Sequence, residues 1–177
     1  MAVSTINSIA ALLQRHSRFT QGLLPIPLLQ SGHCLRLSAH SAGGLIIQKP
    51  FYADFAGAGA AVGCSFDGDC VAVYVLGTVE FELPTTFADR QTAFQQRIAY
   101  SDRISNIAIV RCHDHRATLI VNQLCAWAGL DEAQKIPAEW IARLVGVSPR
   151  RIRAAWQQHW LDCQILPPQP LVTGDRR

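Results

Sequence analysis

The sequence has few of the features that mark membrane or secreted proteins. No apolar run approaches the roughly 18–20 residues that cross a bilayer, because Lys49 and Asp54 interrupt the best candidate. No basic residue precedes the short apolar stretch at residues 9–13, so we expect no signal peptide. The 6 cysteines never form a C-x-x-C pair. We therefore expect buried, reduced thiols in a cytoplasmic protein.

Motifs of the common enzyme classes are also missing. The chain has no Ser/His/Asp grouping, no paired carboxylates in one loop and no phosphate-binding glycine loop. Cys112 and His115 lie three residues apart at a predicted helix junction, but no paired motif supplies the third and fourth ligands of a metal site. We therefore expect neither an enzyme nor a metal centre, and no cofactor.

Charged residues are scarce, at 16% of the chain, while 49% are apolar, which is typical of a globular protein. The formal net charge is only +3, but it is unevenly distributed. Residues 135–177 contain seven Lys or Arg against three Asp or Glu, whereas residues 1–134 contain nine against ten. This basic C-terminal part suggests that one end of the protein contacts a polyanion.

Two short helices joined by a tight turn are predicted for residues 138–157. The first has an apolar stripe at helical spacing, formed by Ile141, Ala142 and Val145. Gly146 follows where the chain must turn sharply, which a residue without a Cβ atom does at least steric cost. The pattern is typical of a helix-turn-helix that binds DNA, although ordinary helical hairpins share the apolar spacing and the glycine.

The second of these helices has arginines in its first turns. Ser148 can cap it by accepting a hydrogen bond from a free backbone N–H group. We predict that Arg150 and Arg153 contact base edges, because arginine bonds bidentately to guanine O6 and N7. Ser148 and Arg151 are predicted to position the helix on the phosphate backbone. Arginines often only solvate a surface, so this prediction depends on the glycine, the cap and the arginines occurring together.

The preceding residues are predicted as a helix followed by a β-rich region. Residues 5–19 have the spacing of an amphipathic helix, and residues 23–29 form a proline-interrupted extended segment. Residues 71–76 and 78–83 are the clearest strands because they are rich in β-branched residues. Residues 56–63 have such small side chains that we expect a loop or a closely approached backbone. Short strands at this spacing favour a small antiparallel sandwich or barrel.

A long helix is predicted that Thr85 or Thr86 can cap and that runs toward Asn106, or as far as Cys112. Its apolar residues, Phe94 and Ile98 among them, form a stripe that polar residues interrupt, so it is a weak heptad seam. The pattern leaves two interpretations open. The helix packs on its own β domain, or it pairs with the same helix of a second copy. A further helix is predicted for residues 116–127.

The order of these predicted elements resembles that of the Crp/Fnr family of bacterial transcription regulators. The similarity is strongest over residues 97–172, where residues 104–110 look like the end of the family's dimerisation helix. Residues 137–165 resemble its helix-turn-helix, and residues 165–172 have room for a wing. Weaker landmarks lie in the N-terminal half, at residues 32–37, 43–44, 54–57 and 79–83.

The resemblance implies an α+β fold with an N-terminal antiparallel β-roll and flanking helices, a long dimerisation helix and a C-terminal winged helix-turn-helix. It implies a degenerate cyclic-nucleotide-binding-like sensor domain at residues 1–85, the dimerisation helix at residues 86–112 and the DNA-binding domain at residues 113–177. The implied function is sequence-specific regulation of transcription by a cytoplasmic homodimer. Its partners would be double-stranded DNA and RNA polymerase, with no membrane.

The departures from the family pattern affect the ligand and the operator. Members that bind cyclic nucleotides use an arginine for the cyclic phosphate, yet no Lys or Arg lies between Lys49 and Arg90. A buried phosphate without a cationic partner loses its charge-assisted bonds, so we expect no response to cyclic nucleotides. The first cysteine is Cys34, so an N-terminal iron–sulfur cluster is not supported. Arg150 and Ala154 replace the family's glutamate and last arginine, so the operator sequence does not carry over.

A second class of function fits the same pattern. A helix-turn-helix relic could bind a protein partner through Trp140, Trp156 and Trp160, which would make the protein an interaction module without enzymatic activity. The core of a small winged helix would contain clustered aromatic residues as well. The tryptophans by themselves therefore do not separate the two functions.

Overall fold

The computed structural model describes residues 18–24 and 26–165. The strands within these ranges are β1 (Arg18–Leu23), β2 (Cys34–Leu37), β3 (Ala42–Gln48), β4 (Ala53–Gly57), β5 (Ala61–Gly63) and β6 (Ala72–Glu82). The α-helices are α1 (Phe87–Ala108), α2 (His113–Ala128), α3 (Leu130–Ala133), α4 (Ala138–Val145) and α5 (Pro149–Ile165). The predicted α+β class is confirmed. Most of the predicted N-terminal helix, residues 5–17, and the wing beyond residue 165 lie outside the described residues.

The strands form a curled antiparallel half-barrel around β6. The first part of β6 pairs with β3 on one side and with β1 on the other, with Val75 opposite Leu45 and Thr78 opposite Thr20. Its end pairs with β2, which also pairs with β5. β6 is one strand of 11 residues where the sequence predicted two, because Gly77 stays in the ladder opposite Gly43.

The central strands are buried on both faces. In β3, Leu45 and Ile47 belong to an apolar cluster of sheet and loop residues, whereas Ile46 belongs to a cluster shared with the helices. β6 alternates in the same way, with Val75 in the first cluster and Leu76 in the second. Burial on both faces explains why these strands have continuous apolar runs instead of an alternating pattern.

Helix α1 packs its inner side on β4 and β5. It begins at a capping box, in which the Asp89 backbone N–H donates to Thr86 Oγ1 and the Thr86 N–H donates to the Asp89 carboxylate, both at 3.1 Å. Ala93, Arg97 and Ile104 are buried on the inner side. The interpretation that this helix packs on its own β domain is therefore confirmed for its inner side. Its outer side is exposed to solvent in the single chain.

Of the two alternatives predicted for the small-residue segment 56–63, the loop is wrong. The segment contains the end of β4, a turn and β5. Its predicted close backbone approach is confirmed, because a Cβ atom on Gly57 would lie 2.3 Å from Cζ of Tyr100. The extended segment predicted at residues 23–29 is wrong in part as well, since Ile26–Leu28 form a 3-10 turn.

The C-terminal helices pack directly against the sheet. The Trp127 ring stacks on the Phe55 ring, with centroids 4.2 Å apart and planes inclined by 5°. The Trp140 ring lies 5.5 Å from the ring of Tyr74, whose hydroxyl donates to the Lys135 carbonyl at 3.2 Å. These contacts fix the position of α2 and α4 relative to the sheet. In the part of the chain that is described, no helix has the length and apolarity to span a membrane.

Candidate nucleic-acid interface

The turn between α4 and α5 contains the predicted glycine in a left-handed conformation. Gly146 has φ 64° and ψ 47°, and its N–H group donates to the Ala142 carbonyl. The Arg116 side chain, from α2, donates from Nη1 to the Val145 carbonyl at 2.8 Å. A cation at this position satisfies a free carbonyl and opposes the partial negative charge at the helix end. The turn is therefore stabilised by a hydrogen bond of its own backbone and by a second hydrogen bond from α2.

The predicted apolar stripe of α4 is confirmed, and α5 buries one side as well. Each helix turns small and branched side chains inward, where the shared cluster buries them. The buried residues are Ile141, Ala142 and Val145 on α4, and Ile152 and Ala155 on α5. Because this side is buried, the arginines in the first turns of α5 lie at or near the surface.

The structure brings the four predicted DNA-contacting residues together at the start of α5. Ser148, Arg150 and Arg153 are exposed, and Arg151 is partly exposed. Arg153 Nη2 donates to Glu139 Oε1 of α4 at 2.5 Å, and the Arg151 guanidinium pairs with the Asp114 carboxylate at the start of α2. Arg150 has no ion-pair partner among the side chains of residues 18–24 and 26–161.

The surface around the turn stays basic despite these pairs. Five arginines lie on or next to α4 and α5, at 116, 143, 150, 151 and 153, and within residues 18–24 and 26–161 the ion pairs that they form are those with Asp114 and Glu139. The two ion pairs are solvent-exposed, and such pairs contribute only about 0–1 kcal/mol. A stronger polyanionic partner could therefore replace the carboxylates at little energetic cost.

A shallow apolar groove of about 390 Å³ runs along the outer side of α1. Its two most exposed apolar side chains are Phe87, at 76%, and Ile98, at 57%. Ile109, at 76%, continues the same side at the end of the helix. The groove is lined by Phe87, Arg90, Gln91, Phe94, Gln95 and Ile98.

A cleft of about 270 Å³ lies between the sheet and α1. It is lined by Arg36, Ala39, Ala58, Gly59, Thr92 and Gln96. The cation in this lining is Arg36, which comes from β2 and therefore lies outside the segment between Lys49 and Arg90 that lacks Lys and Arg. Arg36 is already paired, since its Nε and Nη2 donate to Glu82 Oε2 at 3.1 and 2.5 Å. Hydrogen bonds from Ser38 and Arg36 lower the pKa of Glu82, so the carboxylate is ionised at neutral pH and offsets the arginine.

Because Arg36 is already paired with Glu82, we expect that cyclic AMP and cyclic GMP at millimolar concentration do not raise the melting temperature of the protein. A ligand at a hundred times its Kd stabilises the folded state by about 2.7 kcal/mol, which is several degrees for a protein of this size. Differential scanning fluorimetry measures the shift, with the plain 5′-monophosphates as controls. A rise with a cyclic nucleotide that the monophosphate does not produce would contradict the prediction.

A buried network of charges joins α1 to the sheet. Arg97 Nη2 lies 2.8 Å from Asp54 Oδ2 and 3.1 Å from Asp67 Oδ1. Lys49 Nζ lies 3.5 Å from Asp67 Oδ1, and it also pairs with Asp69. Burial alone would lower the pKa of Arg97, but the charges of Asp67 and Asp54 outweigh it and raise that pKa. Both cations are thus neutralised by protein carboxylates, so this network holds the fold together and offers no free charge to a ligand.

Three polar residues that the sequence analysis did not single out meet between α2 and α5. Cys125 Sγ lies 4.0 Å from His159 Nε2, and His159 Nδ1 lies 3.1 Å from Asn122 Oδ1. Asn122 and Cys125 are one helical turn apart, whereas His159 is 34 residues beyond Cys125. No spacing rule connects positions so far apart, so only the packing of the helices reveals the group.

The predicted helix-junction pair, Cys112 and His115, gathers no further ligands. Cys112 is the residue that precedes α2, and both side chains are exposed. Among the described residues no group of three His, Cys, Asp or Glu side chains could hold a metal ion.

Comparison with known proteins does not assign a family. Searches of protein-family models and of curated proteins gave no match to this chain. The resemblance to the Crp/Fnr regulators therefore stays a prediction that depends on the order of the elements and on the residues given above.

Proposed function

We propose that this protein is a homodimeric, sequence-specific DNA-binding regulator of transcription, of the Crp/Fnr type, and that α5 is its recognition helix. The observation that carries the proposal is Arg150 in the first turn of α5, exposed and without an ion-pair partner among the described side chains, four residues after the left-handed Gly146. A helix that buries one side and presents arginines at its N-terminal end can enter the major groove end-on.

The spacing of the arginines supports a division of their roles. Arg150 and Arg153 are three residues apart, so they lie on the same side of α5 and can reach neighbouring base pairs. Arg151 lies between them in sequence and turns toward α2, where it pairs with Asp114. It is therefore better placed to contact a phosphate at the edge of the groove than a base.

The outer side of α1 supports the homodimer. Exposed apolar side chains such as Phe87 and Ile98 recur along this side of a well-capped helix of 22 residues. A second copy of the same helix would cover the groove in a two-fold seam. Such a dimer would place the two recognition helices about 34 Å apart, one turn of DNA.

The competing role as a protein-interaction module has less support. Trp140 and Trp156 pack against the apolar cluster shared by the sheet and the helices, so a role in the core accounts for both. Trp160 is the exposed member of the three, at 49%. A single half-exposed tryptophan is a small docking surface compared with a basic helix end.

We expect Arg150→Ala and Arg153→Ala each to weaken binding to the preferred duplex by about 1–3 kcal/mol and to relax the base preference at one position. Arg151→Ala should weaken binding to all sequences alike and reduce the salt slope by about 1. The duplex is first selected from a random-sequence pool, and affinities are then measured by fluorescence anisotropy at two salt concentrations.

Variants that remove the carboxylates paired with Arg151 and Arg153 serve as a control, because they should change the affinity for DNA in the opposite direction. Asp114→Asn frees Arg151, and Glu139→Gln frees Arg153, so each variant should bind random duplex more tightly and with a steeper salt dependence. If the three arginine variants and the wild-type protein bound DNA equally well, α5 would not be the recognition helix. If no duplex bound above background, the interaction module would replace the present proposal.

A further inference from the structure

Two half-buried cysteines meet where β2 begins and β5 ends. Cys34 is the first residue of β2 and lies opposite Gly63, the last residue of β5, and Cys64 follows Gly63 directly. The Cys64 backbone N–H donates to the His33 carbonyl at 3.0 Å, so the two chains stay hydrogen-bonded one residue beyond the strands. This antiparallel pairing places the Cα atoms of Cys34 and Cys64 roughly 6 Å apart, within the range of roughly 4.4–6.8 Å that disulfides have.

The backbone at the end of β5 allows the two thiols to lie on the same side. In a regular strand Cys64 would point away from Cys34, because successive side chains alternate between the faces. Gly63 and Cys64 instead have φ values of 77° and 54°, both in the left-handed region, so the alternation ends at Gly63. Among the described residues, Cys64 is the one residue other than glycine with a positive φ. Strain of this kind is concentrated at functional positions in proteins.

The two thiols interact, and the interaction gives them unequal reactivity. Burial raises the pKa of the Cys64 thiol most, and a hydrogen bond with Cys34 and the charge of Cys34 raise it further, to about 12. Cys64 therefore keeps its proton at neutral pH, and a protonated thiol is a poor nucleophile. Cys34 is then the member of the pair that attacks an oxidant first. Its oxidation removes the charge that helps to keep Cys64 protonated.

The turn after Cys64 connects the pair to the buried network of α1. Asp67 Oδ2 accepts a hydrogen bond from the Gly63 N–H at 2.8 Å, and Asp67 Oδ1 lies 3.1 Å from Arg97 Nη2. A covalent bond at Cys64 would join β2 to this turn, and through the turn to the contacts of α1 with the sheet. Because such a bond also restricts the unfolded chain, the cross-linked protein should melt at a higher temperature than the reduced protein.

We propose that Cys34 and Cys64 are a reversible redox pair, which hydrogen peroxide or an organic hydroperoxide oxidises to an intrachain disulfide. The Cys34 sulfur attacks the peroxide, the O–O bond breaks, and Cys34 becomes a sulfenic acid while water or an alcohol is released. The Cys64 sulfur then attacks the Cys34 sulfur, the S–O bond breaks, and the hydroxyl group leaves as water with the Cys64 proton. The two thiols together lose two electrons, which the peroxide gains. A dithiol reductant reverses the change.

The proposal is tested with hydrogen peroxide on the reduced, full-length protein. The remaining thiols are alkylated and the chain is cleaved after Arg36 and before Asp67, so that each cysteine of the pair lies on its own peptide. Mass spectrometry should identify Cys34–Cys64 as the main disulfide, and dithiothreitol should remove it. In concentrated urea the same treatment should distribute Cys34 among the other thiols, because the fold no longer holds its partner nearby. A Cys34–Cys64 share that is no larger in the folded protein than in urea would overturn the proposal.

Three serine variants test the order of the steps and the identity of the pair. Cys64→Ser removes the second thiol, so dimedone should trap the sulfenic acid of Cys34 at least about tenfold more than in the wild type. Cys34→Ser should give no comparable trapping at Cys64. Cys70→Ser removes a buried thiol outside the pair and should form the disulfide as the wild type does. Trapping at Cys64 instead of Cys34 would refute the assigned order, and a disulfide that required Cys70 would refute the pair. None of these readouts depends on DNA binding, which is measured separately.

Discussion

Replacing Arg97 by methionine should destabilise the protein by about 3–5 kcal/mol, because it leaves Asp54 and Asp67 facing each other without their shared cation. Arg97 is 5% exposed and Asp67 is fully buried, so water cannot solvate the Asp67 carboxylate, and Lys49 at 3.5 Å is then the cation that still pairs with it. Urea denaturation gives the loss in free energy of unfolding. For a protein of this size the melting temperature should fall by on the order of 10 °C.

Arg103→Met is the matched control for this prediction. Arg103 lies on the same helix but is exposed, so the same change of side chain should leave the stability within about 0.5 kcal/mol. If both variants unfolded at the same denaturant concentration as the wild type, the buried network would contribute nothing. A large loss in both would instead indicate a general effect of arginine removal on α1.

Replacing Ile98 by aspartate should convert the proposed dimer into monomers at micromolar concentration. In a two-fold seam each substitution occurs twice, and each buries a carboxylate that has no partner. Ile98 is 57% exposed in the single chain, so the variant should fold and keep the melting temperature of an isolated subunit. Sedimentation velocity measures the change. Phe94→Asp should act in the same direction, but Phe94 also contacts the Phe66 ring, so it tests the seam less cleanly.

Ala99→Asp is the control for charge alone. Ala99 is exposed and lies about 100° around the helix from Ile98, outside the groove, so the variant should remain dimeric. A wild-type protein that sedimented as a monomer at micromolar concentration would contradict the seam. Dimers that survived both Asp variants in the groove would show that another surface holds the two copies together.

Signals that act within a few residues were sufficient to predict several elements. Thr86 and Asp89 form the cap where the sequence places the start of the long helix. Gly146 adopts a left-handed conformation at the predicted turn. Helical spacing identified the buried side of α4, including Ile141 and Val145. These predictions succeeded because caps, turns and amphipathic periodicity depend on hydrogen bonds and packing between close neighbours in the chain.

Predictions failed where a residue's environment comes from distant parts of the chain. The segment around Gly57 looked too small-sided for strands, but the Tyr100 ring of α1 supplies the volume that its own side chains lack. The strands predicted at residues 71–76 and 78–83 are the single strand β6, because Gly77 stays paired with Gly43 of β3. In both places the deciding partner lies on another element.

The amino-acid sequence by itself determined the capped long helix, the glycine turn and the two short helices that flank this turn. The tertiary structure alone decided which charges are neutralised, since Arg97 meets Asp54 and Asp67 across 43 and 30 residues. It also decided which polar groups meet, as with Cys125 and His159. The physical reason is that electrostatic energy and proton transfer depend on distances of a few ångströms in space, and strand pairing and helix packing set those distances between residues far apart in the chain.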